Sequence, residues 1–264
     1  MPPPAVVELL NQKALQYNHS KYLAADPAGV MHQFKDPADQ AVAGFFAATL
    51  AWGRRDIILR SCQRLLERMD YAPSAFVRHA SWREIAAAPK FVHRTFQERD
   101  FRYFVFALRN LLLAYGSLQR AFTAGWQPDS RGLYPVLSNF QERFFMPPRN
   151  GSRTLKHVSN VRKGASAKRL AMFLRWMVRK DENGFDLGIW SEIPMELLVL
   201  PLDVHTGRVA RELGLLQRKQ NDWRAVQEVT RVLQALKPED PAWYDFALFG
   251  LGVYEDYPKK PLHW

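Results

Sequence analysis

Apolar residues recur at helical spacing through nearly the whole chain, and no stretch alternates at the two-residue period of a half-buried strand. In RRDIILRSCQRLLERM, the residues Ile58, Cys62, Leu65, Leu66 and Met69 lie on one stripe, at the three- and four-residue steps of a helix face. Leu170, Phe173, Leu174, Met177 and Val178 repeat that face in KRLAMFLRWMVRK, and Trp223, Val226, Val229, Leu233 and Leu236 do so further on. Cap residues mark several starts: Asp100 before FRYFVFALRNLLLAY, Asp222 before Trp223, and Asp240 with Pro241 at a first helical position. Gly250 or Gly252 is expected to end the last of these helices. These signals predict an all-α fold.

Composition narrows the partners. The chain has 264 residues, 47% hydrophobic and 13% aromatic, enough for one large domain or two lobes and too apolar for global disorder. No apolar run approaches the roughly 20 residues that cross a bilayer, and MPPPAVVELLNQ lacks the pattern of a signal peptide, so a soluble, cytoplasmic protein without a membrane partner is expected. The single cysteine, Cys62, excludes an internal disulfide and a multi-cysteine metal or iron–sulfur site. His93, His157 and His205 show no metal-ligand spacing, and no cofactor is expected. Lys and Arg number 37 against 26 Asp and Glu, a formal charge of +11. That excess favours a polyanion, because each neutralised phosphate releases counterions.

Two loop-rich stretches interrupt the helices. Residues 145–167, FMPPRNGSRTLKHVSNVRKGASA, are basic and rich in Pro, Gly and Ser; residues 180–201 begin KDENGFDLG. The segment after the second loop, LPLDVHTGRVARELGLL, sets Asp203 directly before a helical pattern in which Val209, Ala210 and Leu213 share a face. The default role of such an aspartate is a helix N-cap.

Pro201-Leu202-Asp203-Val204-His205, Arg208-Val209 and Leu213-Gly214 resemble the catalytic-aspartate segment of the helix-hairpin-helix DNA glycosylase superfamily. Upstream, Gly164-Ala165-Ser166-Ala167-Lys168 is similar to that family's hairpin turn, with Ser166 where a second glycine is usual and Lys168 where the Schiff-base lysine stands. The separation of 35 residues (203 − 168) and the turn are nearest in pattern to the archaeal 8-oxoguanine glycosylases. The whole chain also resembles an uncharacterised bacterial family of unknown function.

The resemblance implies one glycosylase-like unit over 1–264 with two lobes and no iron–sulfur cluster, its hairpin and catalytic region at about 150–216. It implies a monomeric, nucleoid-associated DNA-repair enzyme that flips an oxidised base out of damaged duplex, attacks C1′ through Lys168 with Asp203 assisting, and cleaves the strand as an AP lyase. Phosphate contacts are expected from Lys156, His157, Lys163, Gly164, Ser166 and Arg169, and from Arg54 and Arg55 at an early helix junction. Trp52, His205 and Asp245 are expected to line the base pocket. A nucleic-acid-binding protein that keeps the fold without catalysis is the alternative, and a helical adaptor for an acidic protein is a third reading.

Overall fold

The computed structural model describes residues 1–87, 90–127, 132–148 and 151–259. Two residues of the expected basic loop (149–150) and the end of the chain (260–264) lie outside the described residues. Helices hold 64% of the chain and strands 2%, so the fold is all-α. Among the described residues the α-helices are α1 (Pro4–Tyr17), α2 (Pro37–Leu50), α3 (Arg55–Arg68), α4 (Pro73–His79), α5 (Trp82–Ala87), α6 (Glu98–Tyr115), α7 (Leu118–Thr123), α8 (Tyr134–Phe144), α9 (Lys168–Val178), α10 (Val204–Glu212), α11 (Trp223–Leu236) and α12 (Tyr244–Val253). A small antiparallel hairpin of β1 (Val92–His93) and β2 (Phe96–Gln97), too short to show a two-residue period, precedes α6.

The chain divides into two compact units, one of Met1–Tyr22 with Asn160–Trp264 and one of Leu23–Ser159. Of the expected hairpin-and-catalytic region, residues 151–159 belong to the second unit and residues 160–216 to the first.

The second unit is built on phenylalanine. α2 is buried continuously from Ala41 to Leu50, as a helix apolar on all sides must be. Its Phe45 and Phe46 meet Phe104 of α6, and Phe45 meets Phe140 and Phe144 of α8. The α3 stripe is as expected, with Ile58, Cys62, Leu65 and Leu66 inside. Asp100 does not cap α6. Gln97 does, and Asp100 is the reciprocal partner three positions on, its carboxylate accepting from the Gln97 backbone N–H at 2.9 Å.

In the first unit α1 packs along α12. Gly250 and Gly252 lie inside α12 and do not end it. A Cβ on Gly250 would sit 2.0 Å from the Tyr17 ring, so the glycine admits α1 and has no capping role. Asp240 precedes a short 3-10 turn without capping it, its carboxylate accepting from Arg179 instead. α9 buries Leu170, Phe173, Leu174, Met177 and Val178, and α11 buries Trp223, Val226, Val229 and Leu233 under a cap from Asp222. No helix among the described residues is long and apolar enough to cross a membrane.

Candidate functional site

The hairpin turn builds the start of α9. Residues Val161–Lys163 form a 3-10 turn whose first carboxamide, Asn160, accepts from the Lys163 backbone N–H. Gly164 is left-handed at φ +81° and its Cβ position faces open space. Ala167 takes a second left-handed conformation, φ +52°, at a cost of roughly 1 kcal/mol or more for a residue with a Cβ. Ser166 is not among the positive-φ residues, so serine in place of the usual glycine adds no strain of its own. Lys168 is the first helical residue, and no side chain caps the amides around it.

Asp203 caps α10 with one oxygen. Its Oδ1 accepts from the backbone N–H of His205 at 2.8 Å and of Thr206 at 3.0 Å, and the Thr206 hydroxyl accepts from the Asp203 N–H at 2.9 Å. The other oxygen, Oδ2, lies 3.7 Å from Lys168 Nζ. Both side chains are about a quarter exposed, so the pair can be reached from solvent. The structure thus brings together two residues that stand 35 apart in sequence.

Asn221 is a support the motif did not reveal. Its side-chain amide donates to the Asp203 carbonyl oxygen at 2.8 Å and its own oxygen accepts from Arg211 at 2.6 Å. Gly207 makes room for this: a Cβ there would lie 2.7 Å from Asn221 Oδ1. The glycine of His-Thr-Gly-Arg-Val was the one visible trace of this packing.

Behind the pair lies a buried ion network. Arg175, two turns along α9 from Lys168, donates to Asp245 of α12 and to Asp186 at 3.2 Å. Arg179 reaches Asp186 at 3.2 Å, Asp240 at 3.0 Å and Asp181 at 2.7 Å, and the Asn18 amide donates to Asp181. Two guanidiniums thus face four carboxyls. Burial pushes Asp245 up to about 6; Arg175 opposes that, the Asp203 carboxylate adds to it, and Lys168 opposes it. Asp245 is thus electrostatically coupled to both members of the pair. It is buried and does not face solvent.

The remaining expected residues divide. Lys163 is exposed beside the turn, and Arg169 is half-buried next to Lys168. The exposed His205 places its Cβ and backbone against Gly252. Lys156, His157, Trp52, Arg54 and Arg55 belong to the second unit. His157 is not a phosphate contact: it is 3% exposed, its ring lies 5.0 Å from that of Phe96, and its Nε2 is 3.5 Å from Asp100. Burial works to raise the Asp100 carboxyl, but His157, the Gln97 amide and the Thr154 hydroxyl outweigh it and hold Asp100 at about 2. Trp52 is half-buried under the Arg94 guanidinium, 4.8 Å away, and edge-on to His93. Arg54 is largely exposed and paired with Asp56 at 3.1 Å. Among the described residues no cluster of His, Cys, Asp or Glu has the makings of a metal site.

A family model described as protein of unknown function (DUF2400) matches residues 26–254. The chain belongs to the DUF2400 family. The matched stretch takes in the hairpin, Lys168, Asp203, Asn221 and Asp245, and omits α1. No curated protein and no solved structure matches the chain.

Proposed function

We propose that this DUF2400 protein is a DNA base-excision glycosylase with AP-lyase activity, acting through Lys168 and Asp203. The reading rests on the resemblance of the two segments to helix-hairpin-helix glycosylases. The observation that carries it is the 3.7 Å approach of Lys168 Nζ to the Asp203 oxygen that capping leaves over.

The chemistry asks for those two groups. The Lys168 ammonium first gives up a proton, which Asp203 is near enough to take and pass on, and the free amine's lone pair then bonds to C1′ as the glycosidic bond breaks. The bond pair leaves with the base, which takes up the proton that the nitrogen sheds on forming the C1′–N bond. Asp203, again a carboxylate once that proton is passed on, stabilises the positive charge that develops on the sugar. Opening of the sugar ring gives a Schiff base on Lys168, and loss of a C2′ proton expels the 3′ phosphate. A base stacked in duplex cannot be reached, so the substrate nucleotide is flipped out.

The hairpin amides at Lys168 and the Lys163 side chain are the phosphate contacts of this reading. Asp245, buried behind the pair, acts on it through charge and does not touch the base. The test is borohydride trapping on duplexes carrying 8-oxoguanine, an oxidised pyrimidine or an abasic site. A covalent adduct that is lost in Lys168→Gln is the expected result. An adduct that persists in that variant removes Lys168 from the mechanism, and no adduct on any substrate removes the enzyme reading.

A further inference from the structure

The loop between α10 and α11, residues 213–222, is held from several sides. Gly214 is left-handed at φ +71°, and the Leu215 and Leu216 amides both return to the Ala210 carbonyl oxygen. Glu228 of α11 accepts from the Gln217 backbone N–H at 2.6 Å, and Arg211 of α10 donates to the Arg218 carbonyl oxygen at 2.7 Å. Asn221 ties the loop to the Asp203 backbone. Arg218 is neutralised by Asp222, which also caps α11. The loop is also tied to the hairpin: Ala165 and Asp222 form an antiparallel bridge, and the Trp223 N–H donates to the Gly164 carbonyl oxygen at 2.9 Å. Hairpin, loop and the Asp203 cap are one braced surface.

Among the exposed side chains that this bracing does not use are Lys219 and Gln220 of the loop and Arg224 of α11. Neither Lys219 nor Arg224 has an ion-pair partner among the described residues. Arg224 is in the first turn of α11, directly after the residues that bridge to the hairpin. With Arg162 and Lys163 on the hairpin side, the surface is basic across both elements.

We infer that Lys219 and Arg224 form a second phosphate-contacting segment, continuous with the hairpin, that binds the sugar–phosphate backbone of duplex DNA beside the target nucleotide. This rests on the DNA reading above and extends it to residues outside the resemblance. A repeating polyanion is the partner that fits: the cations stand on separate elements that the backbone ties together, and phosphate contacts position a duplex without reading its sequence.

The experiment is anisotropy of a labelled duplex carrying a tetrahydrofuran abasic analogue, titrated across a series of salt concentrations. It compares the full-length protein, Lys219→Ala/Arg224→Ala, and a control with two exposed cations removed from the second unit, Lys35→Ala/Lys90→Ala. Removing two phosphate contacts is expected to lower the slope of log K against log salt by about 1.8, with at least tenfold weaker binding near physiological salt. An unaltered slope, or an equal loss in the control, overturns the inference. Charge reversal, Lys219→Glu/Arg224→Glu, should weaken binding further; a folded, monodisperse reversal variant with native affinity overturns it as well. Salt-insensitive or absent binding by the unaltered protein would instead strike the DNA reading itself.

Discussion

Replacing Asp203 with asparagine separates two tasks that one carboxylate performs with different oxygens. Oδ1 receives the His205 and Thr206 amides; Oδ2 faces Lys168. Asparagine keeps an oxygen for the first task and turns an amide toward the lysine. Asn and Asp cap comparably, whereas Ala at such a position costs about 1 kcal/mol. The ion pair lost in both variants spans 3.7 Å between groups a quarter exposed, and such pairs contribute less than about 1 kcal/mol. The Thr206 half of the capping box survives in either variant, because it uses the Asp203 backbone N–H. Asp203→Asn is therefore expected to stay within about 1 kcal/mol of the unaltered protein. Asp203→Ala should be about 1 kcal/mol worse, a Tm difference of about 2–4 °C in a chain of this size.

Activity is expected to rank differently. Both variants lose the only charge that Oδ2 presents to the reacting sugar, so borohydride trapping on an abasic duplex should fall by at least about 100-fold in each. Calorimetry and trapping on the same preparations decide the matter. Trapping retained in Asp203→Asn would refute the charge role, and an Asp203→Asn protein less stable than Asp203→Ala would refute the division between the two oxygens.

Three further outcomes follow from the geometry. Gly207→Ala puts a Cβ 2.7 Å from Asn221 Oδ1 and 3.0 Å from Arg211, so about 1–3 kcal/mol of stability and part of the trapping rate should be lost. Adding Asn221→Ala should then cost little more, because both changes break the same brace; full additivity of the two losses would contradict it. Burial raises Asp245 to about 6 from an ordinary 3.8, so between those pH values the folded protein holds a proton the unfolded chain has released. That stabilisation is complete below the unfolded value and is lost as pH rises through about 6, on the order of 3 kcal/mol; denaturation from pH 4 to 7 should show the fall, and Asp245→Asn should flatten it. His157→Ala should cost about 2–4 kcal/mol of stability, from a lost buried ring, and leave the salt slope of DNA binding unchanged. A lower slope would return His157 to the phosphate contacts.

Local signals in the sequence located what local physics decides. The stripes of α3, α9 and α11 could be read because one face of each is apolar and the other is not, and Asp203 and Asp222 could be read as caps because a cap is satisfied by amides two or three residues on. Misreadings arose where a residue serves a distant one. Gly250 looks like a terminator in isolation, but its missing side chain makes room for Tyr17, at the other end of the chain. Asp100 looks like a cap because the true cap, Gln97, has a weaker preference for that position. His157 sits in a run of basic and polar residues and reads as surface; Phe96, Phe104 and Asp100, all far off in sequence, hold it inside.

Lys168 and Asp203 leave a local mark in the sequence, and their support does not. A hairpin turn and a capped helix each have a short, contiguous pattern, so the two ends of the pair leave a trace. What aligns them does not: Asn221 acts from a loop 18 residues beyond Asp203, and Arg175 meets a carboxyl 70 residues away on α12. Arg175 lies on the buried side of α9 and Arg179 is buried at the residue that ends it, where a helical pattern alone predicts apolar residues. Each is four residues from the other, so the break in the apolar face is itself periodic. Two arginines at that spacing on a core stripe require carboxyls from other elements to meet them, because an uncompensated buried charge would cost several kcal/mol. Asp186, Asp240 and Asp245 are those carboxyls, and Asp245 links the core of the first unit to the charge state of the pair.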